Sequence, residues 1–179
     1  MEKDVGTVLK HYPLGEHGLI VVWCTQQHGL LHTAARGARK PGSRWGGRVD
    51  LFHECELVFK PAPSEEGLSS LDSVSLISPR LPLRRDLQRL RLAGYMARLL
   101  LCTVEPGAPD PAWHTLLTAA LDYVATAPAP NAAILLRFEK RMAQLHGLYA
   151  PGTSPYASLL RHFRHLPPDR NDLLSDLKG

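Results

Sequence analysis

The sequence has no long uninterrupted hydrophobic run, and its cysteines are few. Nowhere do about 18 apolar residues follow one another, as a transmembrane helix would require. The first residues, 1–4, lead directly into mixed sequence, so we expect no secretory signal peptide. The three cysteines are widely spaced and form no CxxC pair. This pattern argues against a disulfide framework and favours a reduced, cytoplasmic setting.

Motifs for catalysis and metal binding are equally scarce. The chain has no GxSxG, no P-loop, no HExxH and no GxGxxG after a predicted strand, so we expect no enzyme activity. Among the nine histidines, His162 and His165 are one helical turn apart, and His28 follows Cys24 by four residues. Neither pair has a third and fourth ligand nearby, so we expect no metal ion. Cys24 and Cys55 are most simply interpreted as small core residues.

What the sequence does contain is positive charge in two local blocks. The net charge is only +4, but an acid-free, glycine-rich stretch holds five cations: Arg36, Arg39, Lys40, Arg44 and Arg48. In a second block Asp86 is the only acid among six arginines: Arg80, Arg84, Arg85, Arg89, Arg91 and Arg98. A single charged run is usually a solvated face. Two in one short chain favour binding to a polyanion such as a nucleic acid.

Five short runs enriched in β-branched residues predict strands in the first half of the chain. They cover residues 5–10, 19–24, 30–35, 51–59 and 71–77. In the fourth run the alternation places five residues on one face: Leu51, His53, Cys55, Leu57 and Phe59. Five strands with one basic insertion predict an OB-fold barrel over residues 1–80.

Beyond Pro79 the apolar period changes to about 3.6 residues, which predicts a helical domain over residues 81–179. Its first helix presents Leu83, Leu87 and Leu90 on one face and, beside them, a stripe of arginines: Arg84, Arg91 and Arg98. Three further helices have predicted N-caps at Asp110, Asn131 and Ser154, and Gly147 is placed to end the second of these. The polar tail from about 167 is expected to be flexible. The predicted fold class is therefore α+β, an OB barrel followed by an all-helical domain.

The loop over residues 36–48 combines the groups that nucleic-acid-binding loops use. Its cations can displace counterions from phosphates, and Trp45 can offer a ring face to a base. Two alternatives stay open at this point: the loop can be a solvated hairpin, and Trp45 can close the end of the barrel. The arginines at 84–98 can likewise form the ordinary solvent face of an amphipathic helix.

Several motifs in a fixed order resemble the bacterial recombination-mediator family RecO. The likeness begins in residues 6–10 and 15–20. It is most specific in residues 35–39 and 43–46, where the family has a basic-Gly-Ala-Arg segment and then Ser-Arg-Phe-Gly. Residues 85–95 and 135–147 are similar to two of the family's helices, so that the resemblance covers about residues 1–150.

The resemblance implies a non-enzymatic mediator of DNA repair and recombination. Proteins of this family bind single- and double-stranded DNA without sequence specificity and anneal complementary strands. With RecR they help load RecA onto DNA coated by single-strand-binding protein; RecF is a further implied partner, and the implied location is the nucleoid. Together with the charge pattern, it gives a predicted DNA-binding set of nine residues: Arg36, Arg39, Lys40, Arg44, Trp45, Arg48, Arg84, Arg85 and Arg91.

Two departures from the family pattern limit what can be carried over. Many members have a four-cysteine zinc module directly after the helix at 135–147, whereas this chain has no cysteine there, so no cofactor is expected. The chain also ends some tens of residues earlier than family members commonly do, which suggests a shortened member. Two other functions stay open: an adaptor whose helical domain binds RecR or the acidic C-terminal tail of single-strand-binding protein, and an OB-fold binder of RNA or tRNA.

Overall fold

The computed structural model describes residues 1–64 and 67–177, and its first half is a closed five-stranded barrel. The strands are β1 (Glu2–Leu14), β2 (Gly18–Thr25), β3 (Leu30–Ala35), β4 (Glu54–Lys60) and β5 (Ser69–Ser78). Around the barrel their order is β1-β2-β3-β5-β4, and only the short β3–β5 pairing is parallel. All five predicted strand runs are therefore present, and the OB-fold prediction is confirmed.

Five helices follow the barrel in the part of the chain that the structure describes. They are α1 (Leu87–Thr103), α2 (Pro111–Thr126), α3 (Ala132–Leu145), α4 (Pro155–His162) and α5 (Arg170–Asp176), and a short 3-10 turn (Leu81–Arg84) precedes α1. Within the described residues, none of these helices combines the length and the apolar character that crossing a bilayer requires. The predicted fold class, a barrel followed by helices, is thus confirmed.

The chain contacts divide the molecule into two compact units. The barrel unit comprises residues 1–80 together with 105–115, and the helical unit comprises 81–104 and the chain from Leu116 onward. In the barrel unit, Leu30 pairs with Pro106 in an isolated parallel bridge. Gly29 has a φ of +63°, and a Cβ there would lie 2.4 Å from the Ala108 carbonyl oxygen. Only glycine fits this close approach.

The barrel core is built from alternating residues of the strands around Trp23. This side chain is fully buried, and its Nε1 donates to Thr33 Oγ1 at 2.9 Å. On β4 the alternation predicts the buried positions Cys55, Leu57 and Phe59 correctly.

The predicted face does not extend back to Leu51, which is exposed. Phe52 has a φ of +66°, so the extended backbone begins only at Glu54. A bulky residue at positive φ is strained, and it breaks the alternation between Leu51 and the strand.

The predicted leucine face of the first helix is wrong. Asp86 caps α1 by accepting from the Arg89 backbone N–H, so the helix begins at Leu87 and leaves Leu83 in the preceding 3-10 turn. This break changes the helical phase, and Leu87 and Leu90 are exposed. The face that is buried instead is formed by Leu92, Tyr95, Met96, Leu99 and Leu100.

The predicted helix boundaries further along agree with the structure. Asp110 accepts from the Ala112 N–H at 2.9 Å, Asn131 caps α3, and Ser154 caps α4. Gly147 follows α3 with a φ of +69°, the left-handed conformation that commonly ends a helix. Short polar caps are local signals, and this is why they could be read from the sequence.

The polar tail predicted to be flexible contains α5. Its Arg170 donates to the buried Glu139 of α3 at 2.6 Å and 2.9 Å, and Glu139 also accepts from the Tyr95 hydroxyl at 2.7 Å. Leu173 of the same helix is fully buried. The local pattern missed this helix because its partners lie far away in the sequence.

Candidate nucleic-acid interface

The basic loop over residues 36–48 is a run of consecutive turns. Backbone N–H groups bond to the carbonyl three residues earlier at Lys40, Ser43, Gly46 and Arg48, with distances of 3.0 to 3.1 Å. Gly37, Gly42 and Gly47 have φ values near +70°, which such sharp turns require. These turns give the loop a defined backbone, so the structure does not favour the interpretation that it is a plain solvated hairpin.

Trp45 fixes this loop to the barrel. Its side chain is only 3% exposed, belongs to the barrel core and donates from Nε1 to the Arg36 carbonyl at 2.9 Å. The Arg44 guanidinium lies over the ring at 4.4 Å from the centroid. The structure thus favours the interpretation that Trp45 closes the barrel end, and it leaves this ring no free face on which a base could stack.

The five cations of the loop are all exposed, and none of them pairs with an acid within residues 1–64 and 67–177. They are Arg36, Arg39, Lys40, Arg44 and Arg48. The turns hold their backbones in place while the side chains extend into solvent. Five unpaired positive charges on one ordered loop create a strongly positive local field, which attracts phosphate groups.

The second predicted set is arranged differently. Arg84 and Arg85 are exposed but precede α1, so the predicted stripe of Arg84, Arg91 and Arg98 does not form on one helix. Arg91 is ion-paired with Asp176, and Arg98 with Asp169 at 2.5 Å.

Arg89 pairs with Asp86 at 2.7 Å and also donates to the Val124 carbonyl. Most charges of the block on α1 therefore have partners in the helical unit.

Arg80 is a structural cation inside the barrel unit. Its side chain is 1% exposed and donates to the Phe52 carbonyl at 2.9 Å, to Thr7 Oγ1 at 3.2 Å and to Glu54 at 3.0 Å. Burial lowers the pKa of neighbouring His114, the positive charge of Arg80 lowers it further, and Asp4 opposes the shift. His114 is accordingly a neutral group beside Arg80 near neutral pH.

Two of the three cysteines, Cys24 and Cys55, are buried in the barrel unit. Burial raises the pKa of the Cys24 and Cys55 thiols to about 12, so both are protonated core residues as predicted. Across residues 1–64 and 67–177, no three histidine, cysteine or carboxylate side chains come together in a way that could hold a metal ion.

A basic surface on α3 was missed by the sequence interpretation. Arg137, Lys140, Arg141 and Gln144 are exposed and line a surface depression of about 430 Å³. The only acid of α3, Glu139, is buried against Arg170. One sequence signal could have found this surface, because residues 140–168 contain no Asp or Glu.

Comparison with known proteins places the chain beside one family. Residues 1–80 match the family model "Recombination protein O N terminal", and residues 84–157 match "Recombination protein O C terminal".

Three relatives, each named DNA repair protein RecO, illustrate the similarity. That of Synechococcus sp. (strain JA-3-3Ab) is 31% identical over 153 residues, which cover 80% of this chain and 48% of the relative. That of Gloeobacter violaceus is 31% identical over 147 residues, 82% of this chain and 52% of the relative. That of Exiguobacterium sibiricum is 28% identical over 170 residues, which cover 90% of this chain and 67% of the relative. The matched part of the chain thus spans about half to two thirds of these relatives.

Proposed function

The chain belongs to the RecO family, and on this basis we propose that it is a DNA-binding protein of DNA repair and homologous recombination. The observation that carries the proposal is the ordered loop over residues 36–48, whose five cations are exposed and unpaired among the described residues. Cations that contact phosphates release condensed counterions, and this release drives binding. Phosphate contacts carry no sequence information, so the binding is independent of sequence.

The proposed activity is annealing without catalysis of a chemical step. The cations of the loop hold one phosphate backbone, and cations of the helical unit hold a second one, so the repulsion between strands is offset while the bases stay free to pair. On the helical unit the candidates from the sequence are Arg84, Arg85 and Arg91, of which Arg91 is ion-paired with Asp176. We add Arg137, Lys140 and Arg141 as further candidates, because they are exposed and line the same surface depression.

The finer role we propose is that of a mediator. With RecR, and with RecF as a further partner, the protein helps load RecA onto DNA coated by single-strand-binding protein. The support for these partners is the family membership, since no side chain by itself identifies them. A strand-annealing assay with bare DNA and with coated DNA tests this role, and failure to accelerate annealing in either condition contradicts it.

The DNA-binding proposal is tested by changing Arg36, Arg39 and Arg44 together to alanine. For single strands, the slope of log affinity against log salt should become shallower by about 2, because each phosphate contact contributes about 0.7. The affinity should fall equally for all sequences, as measured by fluorescence anisotropy at several salt concentrations.

The matched control for this change removes three exposed cations that have no part in the proposed binding: Lys60, Arg161 and Arg164. It shows whether a loss of three charges elsewhere has the same effect. An unchanged slope in the loop variant removes the loop from the binding site. Competition between RNA and DNA of equal length distinguishes the RNA-binding alternative.

One observation favours the adaptor as a second candidate function. Leu136 and Leu145 are 47% and 41% exposed on α3, the helix that carries the basic surface. Apolar side chains beside cations suit an acidic peptide with apolar residues, such as the tail of single-strand-binding protein. Binding of that peptide, compared before and after Leu136→Ser and Arg137→Ala, tests this candidate, and unaltered affinity contradicts it.

A further inference from the structure

The barrel unit exposes one Phe, Tyr or Trp side chain among its described residues, and that is Tyr12 near the end of β1. Tyr12 is 42% exposed, whereas Trp23, Trp45 and Phe59 are each at most 3% exposed. Since Trp45 is turned into the barrel, the basic loop supplies charge but no ring of its own. Single-strand binding typically combines charge with an aromatic side chain on which a base can stack.

The strand register places Tyr12 beside the basic loop. Tyr12 pairs with Ile20 of β2, and Ile20 pairs with Ala34 of β3, which lies two residues before Arg36. Two strand spacings separate the backbones of Tyr12 and Ala34, a distance of about 10 Å. The first cation of the loop, Arg36, follows Ala34 by two residues, so neighbouring nucleotides of one strand can contact both Tyr12 and the start of the loop.

Two hydrogen bonds fix the β1–β2 hairpin to both ends of the loop. Near the start of the loop, the Arg39 backbone N–H donates to the His17 carbonyl at 2.9 Å, and His17 lies in the hairpin turn. At its end, the His11 ring nitrogen donates to the Val49 carbonyl at 2.5 Å. The ring of Tyr12 and the cations of the loop thus belong to one ordered surface.

A further cation accompanies the ring. Lys10 is exposed, and its Nζ lies over one face of the Tyr12 ring, 4.5 Å from the centroid. A base stacks on the opposite face, or on this one after the flexible lysine side chain moves aside. A base stacked on Tyr12 carries its own phosphate a few ångströms away, within reach of this flexible side chain. Tyr12 can therefore contact the base of a nucleotide while Lys10 contacts its phosphate.

We propose that Tyr12 is the platform on which a base of single-stranded nucleic acid stacks, with Lys10 and the loop arginines holding the flanking phosphates. This inference rests on the proposed function and adds to it a preference for single strands. A base in a duplex is already stacked on its neighbours and paired, so it gains nothing from Tyr12. In a single strand the same face is available.

The experiment is Tyr12→Ala in the full chain, measured against a single-stranded oligothymidylate of about 16 nucleotides and a duplex of equal length. The affinity for the single strand should fall about 5- to 150-fold, the range expected for the loss of one stacked base. The affinity for the duplex should change less than twofold. The salt slope should stay at its wild-type value, because stacking releases no counterions.

Three companion variants make the result specific. Tyr12→Phe keeps the ring and should retain wild-type affinity for the single strand. Tyr12→Leu keeps an apolar side chain but has no ring, so its affinity for the single strand should fall. Tyr123→Ala removes a tyrosine of α2 that is 56% exposed and should have no effect. Wild-type affinity of Tyr12→Ala for the single strand, or equal losses for single strand and duplex, overturns the inference.

A second measurement does not depend on any variant. Photocrosslinking to an oligonucleotide that contains bromodeoxyuridine, followed by peptide mapping, should locate the crosslink in residues 10–14. A map that lacks this segment overturns the inference. If the wild-type protein binds no DNA at low salt, the proposed function fails. If it binds DNA and loses this binding only in the loop variant, the inference about Tyr12 fails alone.

Discussion

The two basic segments, residues 36–48 and 80–98, have similar charge density in the sequence but differ in the structure. In the first, five cations are exposed and have no acidic partner among the described residues. In the second, ion pairs hold Arg80, Arg89, Arg91 and Arg98. Their partners include Asp169 and Asp176, which lie 71 and 85 residues away in the sequence.

The difference shows that the density of charge along a chain does not tell how much of it is available to a ligand. A glycine-rich run of turns holds its cations away from the rest of the fold, so distant acids do not reach them. A helix in a packed unit presents its arginines to neighbouring segments, and the acids of those segments neutralise them. Ion pairs of this kind also make counterion release upon DNA binding smaller.

The strongest test of this comparison is Arg80→Ala, because Arg80 is the most buried of these cations. Removing it leaves the partly buried Glu54 without this arginine, and breaking such a pair typically costs about 3–5 kcal/mol in the free energy of unfolding. Urea denaturation should show this loss. Arg85→Ala, an exposed arginine five residues away, is the control and should change stability by no more than about 0.5 kcal/mol. Equal effects of the two substitutions would contradict the structural role of Arg80.

A smaller effect should follow from lowering the pH. The pKa of His114 is lowered by burial and by Arg80, against the effect of Asp4, and Glu54 lies 3.7 Å from its ring. Below about pH 6.5 the unfolded chain takes up a proton at this histidine while the folded chain does not. Stability present above that pH is therefore lost as the pH falls towards the folded pKa, by at most about 1.4 kcal/mol per pH unit for this one group.

The measurement is the free energy of unfolding from pH 7.5 to 5.5 for the wild type and His114→Gln. The variant should show a shallower dependence, whereas the exposed His165→Gln should keep the wild-type one. If the free energy of unfolding depends on pH equally in the wild type and in His114→Gln, protonation of His114 does not contribute to the loss of stability at low pH.

The smallest effect on stability is expected from Arg91→Ala with Arg98→Ala. Both side chains are partly exposed, and such ion pairs contribute about 0.2–1 kcal/mol each. DNA affinity should fall much less than in the loop variant, because these charges are already neutralised. Asp169→Asn with Asp176→Asn should free the two arginines and make the salt slope steeper. A large loss of DNA affinity in the arginine variant would abolish the distinction between the two segments.

Much of the fold could be predicted because its signals are local. The β-branched runs gave the five strands, and Asp110, Asn131 and Ser154 marked three helix starts. Features that depend on contacts between distant parts of the chain could not be predicted from the sequence. The positive φ at Phe52 and the helix around Leu173 both depend on contacts from other parts of the chain.

The same limit applies to the candidate site. The basic loop was evident from composition, but the orientation of Trp45 was open until its Nε1 was seen to donate to the Arg36 carbonyl. The exposure of Tyr12 was not anticipated, because the first predicted strand ended at residue 10, whereas β1 continues to Leu14. The bulge between Val8 and Lys10 shifts the alternation of β1 and decides this orientation.

The segment 105–115, which belongs to the barrel unit, has a consequence for the order of events during protein synthesis. Gly29 and Leu30 receive their neighbours Ala108 and Pro106 only after the whole of α1 has been translated. At about 5–20 residues per second this delay lasts a few seconds. During that interval the five strands exist on the ribosome without this neighbouring segment, and completion of the barrel unit waits for residues that are translated after α1.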